Sequence, residues 1–194
     1  MVHLTIKRGV FIVAGATLTS KNDCTSLLIR LPSQNDSYIL LGVGSGSGTA
    51  MLLRNIIELG VSIKAIKYVV IPYPSRCLAG ACREFKELFP EIHIVSHPQY
   101  AQLLRNGIGV EGETYPPCPV SYVTDTISID RAGISLIPIK NCTGLRIILY
   151  RDDVPFLSIN IISIRVLGRC KDTEGFRTNE IVCLAEKPMC IQGY

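Results

Sequence analysis

The residues best suited to chemistry lie in a short segment that follows an apolar strand. Residues 70–80 read Val-Ile-Pro-Tyr-Pro-Ser-Arg-Cys-Leu-Ala-Gly, so Tyr73, Ser75, Arg76 and Cys77 come within one tight turn. A cysteine acts as a nucleophile only as its thiolate, which a neighbouring cation or base must favour. Arg76 is the nearest cation in the sequence, and no general base is visible beside it. The segment therefore carries part of a reactive thiol site without the base that would complete it.

Other segments accompany this turn in a recognisable order. Residues 40–44 (Leu-Leu-Gly-Val-Gly) precede it, and residues 141–144 (Asn-Cys-Thr-Gly) and 156–160 (Phe-Leu-Ser-Ile-Asn) follow it. Their order and spacing resemble the metallo-β-lactamase superfamily. The pattern of that family runs Leu-Ile-Asp-Thr-Gly, Thr-His-x-His-x-Asp-His-x-Gly-Gly, Gly-His-Thr-x-Gly and a strand ending in Asp. The resemblance implies an α/β fold, a four-layer αββα sandwich with its site at the strand ends.

The same resemblance implies that the family's metal ligands have been lost. Their positions are taken by Gly42 (first Asp), Tyr73 and Ser75 (two His), Cys77 (Asp), Leu78 (last His), Cys142 (third-motif His) and Asn160 (bridging Asp). Metal ligands must converge on an ion at about 2 Å, and a leucine cannot bind one. The histidines His3, His93 and His97 fall on no motif position. We therefore expect no metal, no other cofactor and no catalytic residue. These seven positions and Arg76 are expected to form a vestigial pocket.

The eight cysteines are many for an ordinary cytosolic domain. They include no Cys-x-x-Cys pair, so neither a zinc ribbon nor a thioredoxin-type site is indicated. If the resemblance holds, the sulfurs of Cys77 and Cys142 lie in one pocket. That pair could form a disulfide, half of a thiolate metal site, or a reactive thiol with its resolving partner. The alternative is inert buried thiols, with one or two disulfides if the source is a hyperthermophile.

Hydrophobic periodicity predicts one domain, residues 1–194, of alternating strands and helices. Residues 9–18 have the outline of a short signal peptide, but the pattern continues into a strand at 25–31 and predicts a β-hairpin. The predicted helices cover 49–59, 81–89 and 96–106, and the last opens with Ser96 and Gln99 at capping-box spacing. The predicted strands cover 38–41, 68–71, 92–95, 121–129, 133–139, 145–150 and 154–164, with a hairpin turn at 151–153. The loop between Gly107 and Val120 is expected to shape a binding surface or to serve as a connector.

A glycine-rich segment supports a rival interpretation. Residues 41–48 (Leu-Gly-Val-Gly-Ser-Gly-Ser-Gly) lie between a predicted strand and a predicted helix, as in class I methyltransferases and dinucleotide-binding proteins. Those motifs need an acidic residue where Gly42 stands and a second one at the end of the next strand, where Pro72 and Tyr73 stand. The β-rich segments before Gly42 also fit a sandwich better than a Rossmann half.

The function predicted from these patterns is binding or assembly on a hydrolase scaffold, without metal-dependent hydrolase activity. The alternative is a divergent hydrolase with a rebuilt metal or nucleophile site containing Cys77 and Cys142. The net charge of +4 is spread along the chain, so nucleic acid is not indicated, and no stretch is long enough to span a membrane. We expect a cytoplasmic protein. We also expect a homo-oligomer or a subunit of a larger complex, because the segments 181–185 and 189–194 are unusually apolar for a chain end.

Overall fold

The strands of the protein form two sheets. A computed structural model describes residues 4–7, 9–32, 36–129, 132–139, 143–162, 180–184 and 189–192. The first sheet contains, in spatial and chain order, β1 (Leu4–Lys7), β2 (Val10–Ala14), β3 (Ser26–Arg30), β4 (Tyr38–Leu41), β5 (Ile66–Ile71), β6 (His93–Ser96) and β7 (Tyr122–Val123). The second sheet contains β8 (Thr126–Ile129), β9 (Ala132–Pro138), β10 (Gly144–Arg151), β11 (Val154–Ile162), β12 (Glu180–Leu184) and β13 (Met189–Gln192).

The first sheet changes from antiparallel to parallel at β4. Strands β1 to β4 pair antiparallel, and β4, β5, β6 and β7 pair parallel. Helices return the chain between the parallel strands: α1 (Thr49–Glu58), α2 (Arg76–Ala79), α3 (Cys82–Leu88) and α4 (Pro98–Asn106), with a 3-10 turn at Ile63–Ala65. The carboxyl ends of parallel strands lie at one edge of a sheet. The glycine-rich turn after β4, the loop after β5 and His97 after β6 are therefore neighbours.

The second sheet is a meander with one parallel pairing. Its spatial order is β13-β12-β11-β10-β9-β8, and only β11 and β12 run parallel. Side chains along β10 and β11 alternate between the two faces, and Leu145, Ile147, Leu149, Ile159 and Ile161 are fully buried. They join the buried side chains of the first sheet in one continuous apolar cluster.

Strand β4 is buried on both faces, as its composition requires. All four residues from Tyr38 to Leu41 are apolar or aromatic and all are buried. A strand with an uninterrupted apolar sequence needs cover on both sides, which helices packed on the outer face of the sheet supply. Helix α1 contributes to this layer, and the side-chain amide of its Asn55 donates to the carbonyl of Val13 in β2 at 2.9 Å.

The expected elements agree with the structure except near two polar side chains. The expected strand at 121–129 is divided between the two sheets as β7 and β8. The hydroxyl of Thr124 accepts from the amide of Thr126 (3.1 Å) and donates to the carbonyl of the same residue (2.7 Å). A side chain that bonds to nearby backbone competes with strand pairing, which ends β7 here. The hairpin turn at 151–153 is confirmed, with positive φ at Asp152 (47°) and Asp153 (62°).

The start of α4 is also different from the prediction. Strand β6 runs through Ser96, and the N-cap is His97, whose Nδ1 accepts a hydrogen bond from the amide of Gln99 at 3.1 Å. Partial burial lowers the pKa of His97 below its ordinary value of 6.5, and the carboxylate of Asp125 opposes this shift. The neutral imidazole is therefore the form that caps the helix, since a protonated Nδ1 cannot accept.

This cap predicts that stability falls in mild acid. Because the pKa of His97 is lower in the folded state, the unfolded chain takes up a proton first as the pH drops below about 6.5. The stabilisation is complete above that pH and is lost as the pH falls. Asparagine is a good N-cap that does not titrate. Chemical denaturation of wild type and His97→Asn at pH 7.5 and 5.0 should show a smaller loss for the variant. Equal losses would contradict this role.

Candidate functional site

A cleft opens at the edge where the parallel strands end. Its volume is about 830 Å³. Four segments border it: the loop before β3, the glycine-rich turn after β4, the loop after β5 that carries residues 72–77 (the motif loop), and the loop that follows α4. The lining residues are Lys21, Asn22, Asp23, Cys24, Ser45, Tyr73, Ser75, Arg76, Cys77, Val110, Glu111, Gly112 and Glu113. The residues at 110–113 show that the loop between Gly107 and Val120 does shape this surface.

The glycine-rich turn, residues 41–48, folds around the carboxylate of Asp23, which belongs to the loop before β3. Asp23 is buried, with 4% of its surface exposed. Its Oδ1 accepts from the amide (2.8 Å) and the hydroxyl (2.6 Å) of Ser45, and its Oδ2 accepts from the hydroxyl of Thr19 (2.6 Å). A Cβ at Gly48 would lie 2.1 Å from Oδ2, so only glycine allows the turn to close on the carboxylate. The turn therefore binds an internal carboxylate through Ser45 and is not arranged around a nucleotide phosphate.

A disulfide joins the loop before β3 to the motif loop. Cys24 and Cys77 are bridged across a sequence separation of 53, with their Cα atoms 5.0 Å apart. The amide of Cys24 also donates to the carbonyl of Cys77 at 3.1 Å. The hypothesis that pairs Cys77 with Cys142 is therefore wrong about the partner of Cys77, and Cys142 lies outside the described residues. Cysteine spacing does not determine connectivity, so no signal in the sequence could have selected Cys24.

Beneath the cleft, Leu78 packs directly on Gly42. Gly42 has a φ of +74°, and a Cβ at this position would lie 2.8 Å from Cδ2 of Leu78. The amide of Val43 donates to the carbonyl of Leu78 at 2.8 Å, and Leu78 is fully buried. The positions compared with the first Asp and the last His of the family thus lie side by side, and an isobutyl group fills the space between them.

Tyr73, Ser75 and Arg76 of the motif loop also line the cleft. Tyr73 is buried, with 1% of its surface exposed. The hydroxyl of Ser75 lies 3.2 Å from the sulfur of Cys77. The amide of Arg76 donates to a carboxylate oxygen of Glu113 at 3.4 Å. The amide of Val110 donates to the carbonyl of Pro74 at 3.0 Å, which holds the loop between Gly107 and Val120 against the motif loop.

Asn160 does not line this cleft. It is a buried residue of β11, and its Oδ1 accepts from Nε of Arg146 on the adjacent strand at 2.9 Å. Ile159 and Ile161 are in the apolar cluster between the sheets, so alternation places Asn160 on the opposite face of the second sheet. The sequence could not show that Asn160 lies on this face. An apolar run does not reveal whether a residue within it is at the end or in the middle of a strand.

The side chains at the motif positions do not fit a dinuclear metal centre. Zinc sites need three or four nitrogen, oxygen or sulfur ligands from the protein. Leu78 has no atom that can bind a metal. The sulfur of Cys77 is joined to Cys24 by a disulfide bond, and Oδ1 of Asn160 accepts a hydrogen bond from Arg146. Within the described ranges, no group of three or more His, Cys, Asp or Glu side chains is arranged to hold a metal ion.

A second pair of cysteines lies in the core. Cys82 and Cys118 are buried free thiols. Burial raises the pKa of Cys82 well above its ordinary value, and a hydrogen bond and charge repulsion from Cys118 add to this effect. Burial likewise raises the pKa of the neighbouring Tyr115. Cys82 and Tyr115 are therefore protonated at neutral pH, so Cys82 is not a reactive thiolate.

Comparison with solved structures settles the fold. A metallo-β-lactamase variant from Cronobacter sakazakii superposes with a TM-score of 0.65 at 17% identity, covering 90% of this chain and 66% of that one. GOB-18 from Elizabethkingia meningoseptica gives 0.62 at 20% (82% and 59% covered), and BJP-1, a subclass B3 enzyme of Bradyrhizobium japonicum, gives 0.61 at 14% (79% and 59%). The chain has the metallo-β-lactamase fold. The predicted resemblance and fold class are confirmed.

The metallo-β-lactamase fold is supported by structure and not by sequence similarity. No protein-family model matches the sequence, and a search of curated proteins finds no match. The chain spans less than two thirds of the length of the three similar structures, 59% to 66%. Among the residues with described positions, no helix is long and apolar enough to cross a membrane.

The role of Asp23 can be tested by comparison with an exposed aspartate. Asp23→Ala removes three hydrogen bonds to a buried carboxylate and leaves their donors unpaired, so the free energy of unfolding should fall by about 3 kcal/mol. Asp36 forms a surface ion pair with Arg30 and is 69% exposed, so Asp36→Ala should cost less than about 1 kcal/mol. Similar losses in urea denaturation would contradict the account of Asp23.

The contact between Gly42 and Leu78 can be tested with a double-mutant cycle. Gly42→Ala should cost about 2 to 4 kcal/mol, because a positive φ and a steric clash both oppose a Cβ. In a Leu78→Ala background the clash is removed, so the same change should cost about 1 kcal/mol less.

Gly60 provides the matched control, since its φ is +77° and nothing lies within 4 Å of a Cβ there. Gly60→Ala should cost the same in both backgrounds. Additivity at Gly42 as well would show that Leu78 does not occupy the space beside it.

Proposed function

We propose that this protein is a degenerate member of the metallo-β-lactamase fold that binds a ligand or a partner and does not catalyse metal-dependent hydrolysis. The observation that supports the proposal most strongly is the packing of Leu78 on Gly42. These two residues stand at positions compared with metal ligands of the family, and the contact between them is apolar. The cleft at the same edge of the sheet has a polar lining. A polar cleft beside this apolar packing suits binding without metal chemistry.

The vestigial pocket in this proposal consists of two layers. Tyr73, Ser75, Arg76 and Cys77 form part of the cleft wall, and Gly42 and Leu78 form the packed layer beneath. Lys21 and Arg76 place positive charge at the cleft, and Glu111 and Glu113 place negative charge there. Such a mixed lining favours a polar ligand, or a partner segment, that carries charges of both signs. Asn160 lies on another face and is not part of this surface.

The alternative, a divergent hydrolase that uses Cys77, has less support. A nucleophilic or metal-binding cysteine must be a free thiolate, and Cys77 is bridged to Cys24. The described part of the cleft also lacks a histidine that would act as a general base for it.

We expect no hydrolase turnover from the purified full-length chain. The reason is that the motif positions lack the donor atoms that would activate a water molecule. Assays with a β-lactam, a phosphodiester and a thioester, each with and without added Zn²⁺, should give rates equal to the buffer rates. Turnover that disappears on treatment with a chelator would overturn the proposal.

We propose that copies of this chain associate through the edge of the second sheet. The apolar segments near the chain end pair with the protein's own strands, since β12 adds to β11 and β13 adds to β12. Strand β13 is the end of that sheet, and the unpaired backbone of an edge strand can pair with another chain. A cytoplasmic location remains part of the proposal. With a disulfide it would suit an organism whose intracellular proteins are disulfide-rich, as in hyperthermophiles.

Light scattering tests the association. The full-length chain should form a closed homo-oligomer. A chain that ends at Glu186 should be monomeric if β13 itself makes the contacts between copies, although β12 then becomes the edge of the sheet. Circular dichroism of the shortened chain controls for unfolding. A full-length chain that is monomeric over the accessible concentration range would remove self-association from the proposal.

A further inference from the structure

The two cysteines of the Cys24–Cys77 bridge differ in their exposure. Both line the cleft, but Cys24 is 1% exposed whereas Cys77 is only partly buried. Thiol–disulfide exchange requires an attacking sulfur to reach one sulfur of the bridge. The more exposed residue, Cys77, is therefore the side of the bridge from which we expect a small molecule in the cleft to attack.

The surroundings of Cys77 favour its thiolate. The hydroxyl of Ser75 lies 3.2 Å from the Cys77 sulfur and can donate to it. The side chains of Arg76 and Lys21 are exposed at the same cleft and contribute positive charge. Hydrogen bonds and nearby cations both stabilise a thiolate over a thiol. The carboxylates of Glu111 and Glu113 across the cleft act in the opposite sense.

The other described thiol pair has none of these properties. Cys82 and Cys118 are buried, and burial raises the pKa of Cys82. They line no part of the cleft. Of these two pairs, only the Cys24–Cys77 bridge combines access with a polar, cationic environment.

We propose that Cys77 is a thiol–disulfide exchange site whose reductant is a low-molecular-weight thiol entering the cleft. The thiolate of the small molecule attacks Sγ of Cys77, and the bond to Cys24 breaks. Its electron pair leaves on Sγ of Cys24, which takes up the proton lost when the small thiol ionised. A second thiolate then attacks the small-molecule sulfur of the mixed disulfide, and the bond to Cys77 breaks. Its electron pair leaves on Sγ of Cys77, where the hydroxyl of Ser75 and the nearby cations stabilise the leaving thiolate, and this sulfur takes up the proton of the second small thiol. Two small thiols are oxidised to one disulfide, and the bridge is reduced to two protein thiols.

Exchange would change the cleft wall without dismantling the fold. The bridge joins the loop before β3 to the motif loop, and the hydrogen bond from the amide of Cys24 to the carbonyl of Cys77 remains after reduction. Asp23 still holds its own loop to the glycine-rich turn through Ser45. Reduction therefore places a reactive thiol in the cleft of a folded protein. The exchange needs no cleft ligand, so it can fail or succeed independently of the proposed binding function.

The native full-length protein provides the first test. It is incubated with reduced glutathione, quenched with iodoacetamide and analysed by tandem mass spectrometry of its peptides. Fragment ions are needed to assign the adduct, because Cys77 and Cys82 lie in one tryptic peptide, residues 77–83. We expect a mixed disulfide on Cys77, a reduction rate proportional to glutathione concentration, and an unchanged near-ultraviolet circular dichroism spectrum. A rate independent of glutathione concentration and equal to the global unfolding rate would overturn the proposal. An adduct on Cys24 alone would also overturn it.

Variants in which one cysteine of the bridge is replaced provide the second test, and the labelled position is identified by tandem mass spectrometry. With an aromatic disulfide reagent, Cys77 in Cys24→Ser should be labelled at least about ten times faster than Cys24 in Cys77→Ser. Adding Ser75→Ala to Cys24→Ser should shift the pH profile of Cys77 labelling to higher pH, because the thiolate loses a donor. Ser47→Ala, at an exposed serine on the glycine-rich turn, is the matched control and should leave the profile unchanged. Equal labelling rates, or a profile insensitive to Ser75→Ala, would contradict the assignment of Cys77.

Discussion

The buried carboxylate of Asp23 is the interaction on which the geometry of the cleft depends. A carboxylate loses its hydration when it is buried, and this cost is offset only if charged hydrogen bonds replace the lost water. Thr19 and Ser45 supply these bonds from two different segments. The turn that follows β4 must approach the carboxylate closely, which explains glycine at 44 and 48. The adjacent Cys24 links the same loop to the motif loop through its disulfide bond. Residues 23 and 24 therefore connect three segments that line the cleft: the loop before β3, the glycine-rich turn and the motif loop.

Much of the fold could be predicted because it follows from local patterns. Uninterrupted apolar strands, amphipathic helices and the aspartates of the 151–153 turn each leave a signature within a few residues. The family resemblance predicted that positions 42 and 78 come together, and Leu78 does pack on Gly42. Glycine and leucine at these two positions are also the residues from which the sequence predicts that metal ligands are missing there.

The features that sequence reasoning missed all depend on contacts between distant or competing groups. The partner of Cys77 is separated from it by 53 positions, and nothing in either local sequence marks the pair. The hydroxyl of Thr124 forms hydrogen bonds with the backbone of Thr126, and the expected strand is divided there. Strand propensities do not include such side-chain hydrogen bonds. Asn160 was placed at a pocket by analogy with a strand end, yet its amide oxygen binds Arg146 on the far face of the second sheet. Tertiary contacts decide the cases of Cys77 and Asn160, and a local side-chain hydrogen bond decides that of Thr124.

At the carboxyl ends of the parallel strands, the apolar packing of Leu78 on Gly42 lies where the family pattern has metal ligands. Equilibrium binding of Zn²⁺ to the oxidised full-length protein, in competition with a chromogenic chelator, tests whether this packing leaves room for a metal ion. We expect the protein to take far less than one equivalent of zinc from the chelator, and we expect the same of a Gly42→Ala variant. Stoichiometric zinc binding that is abolished by substitution of Ser75 or Tyr73 would contradict the account, because it would show ligands converging where Leu78 is found.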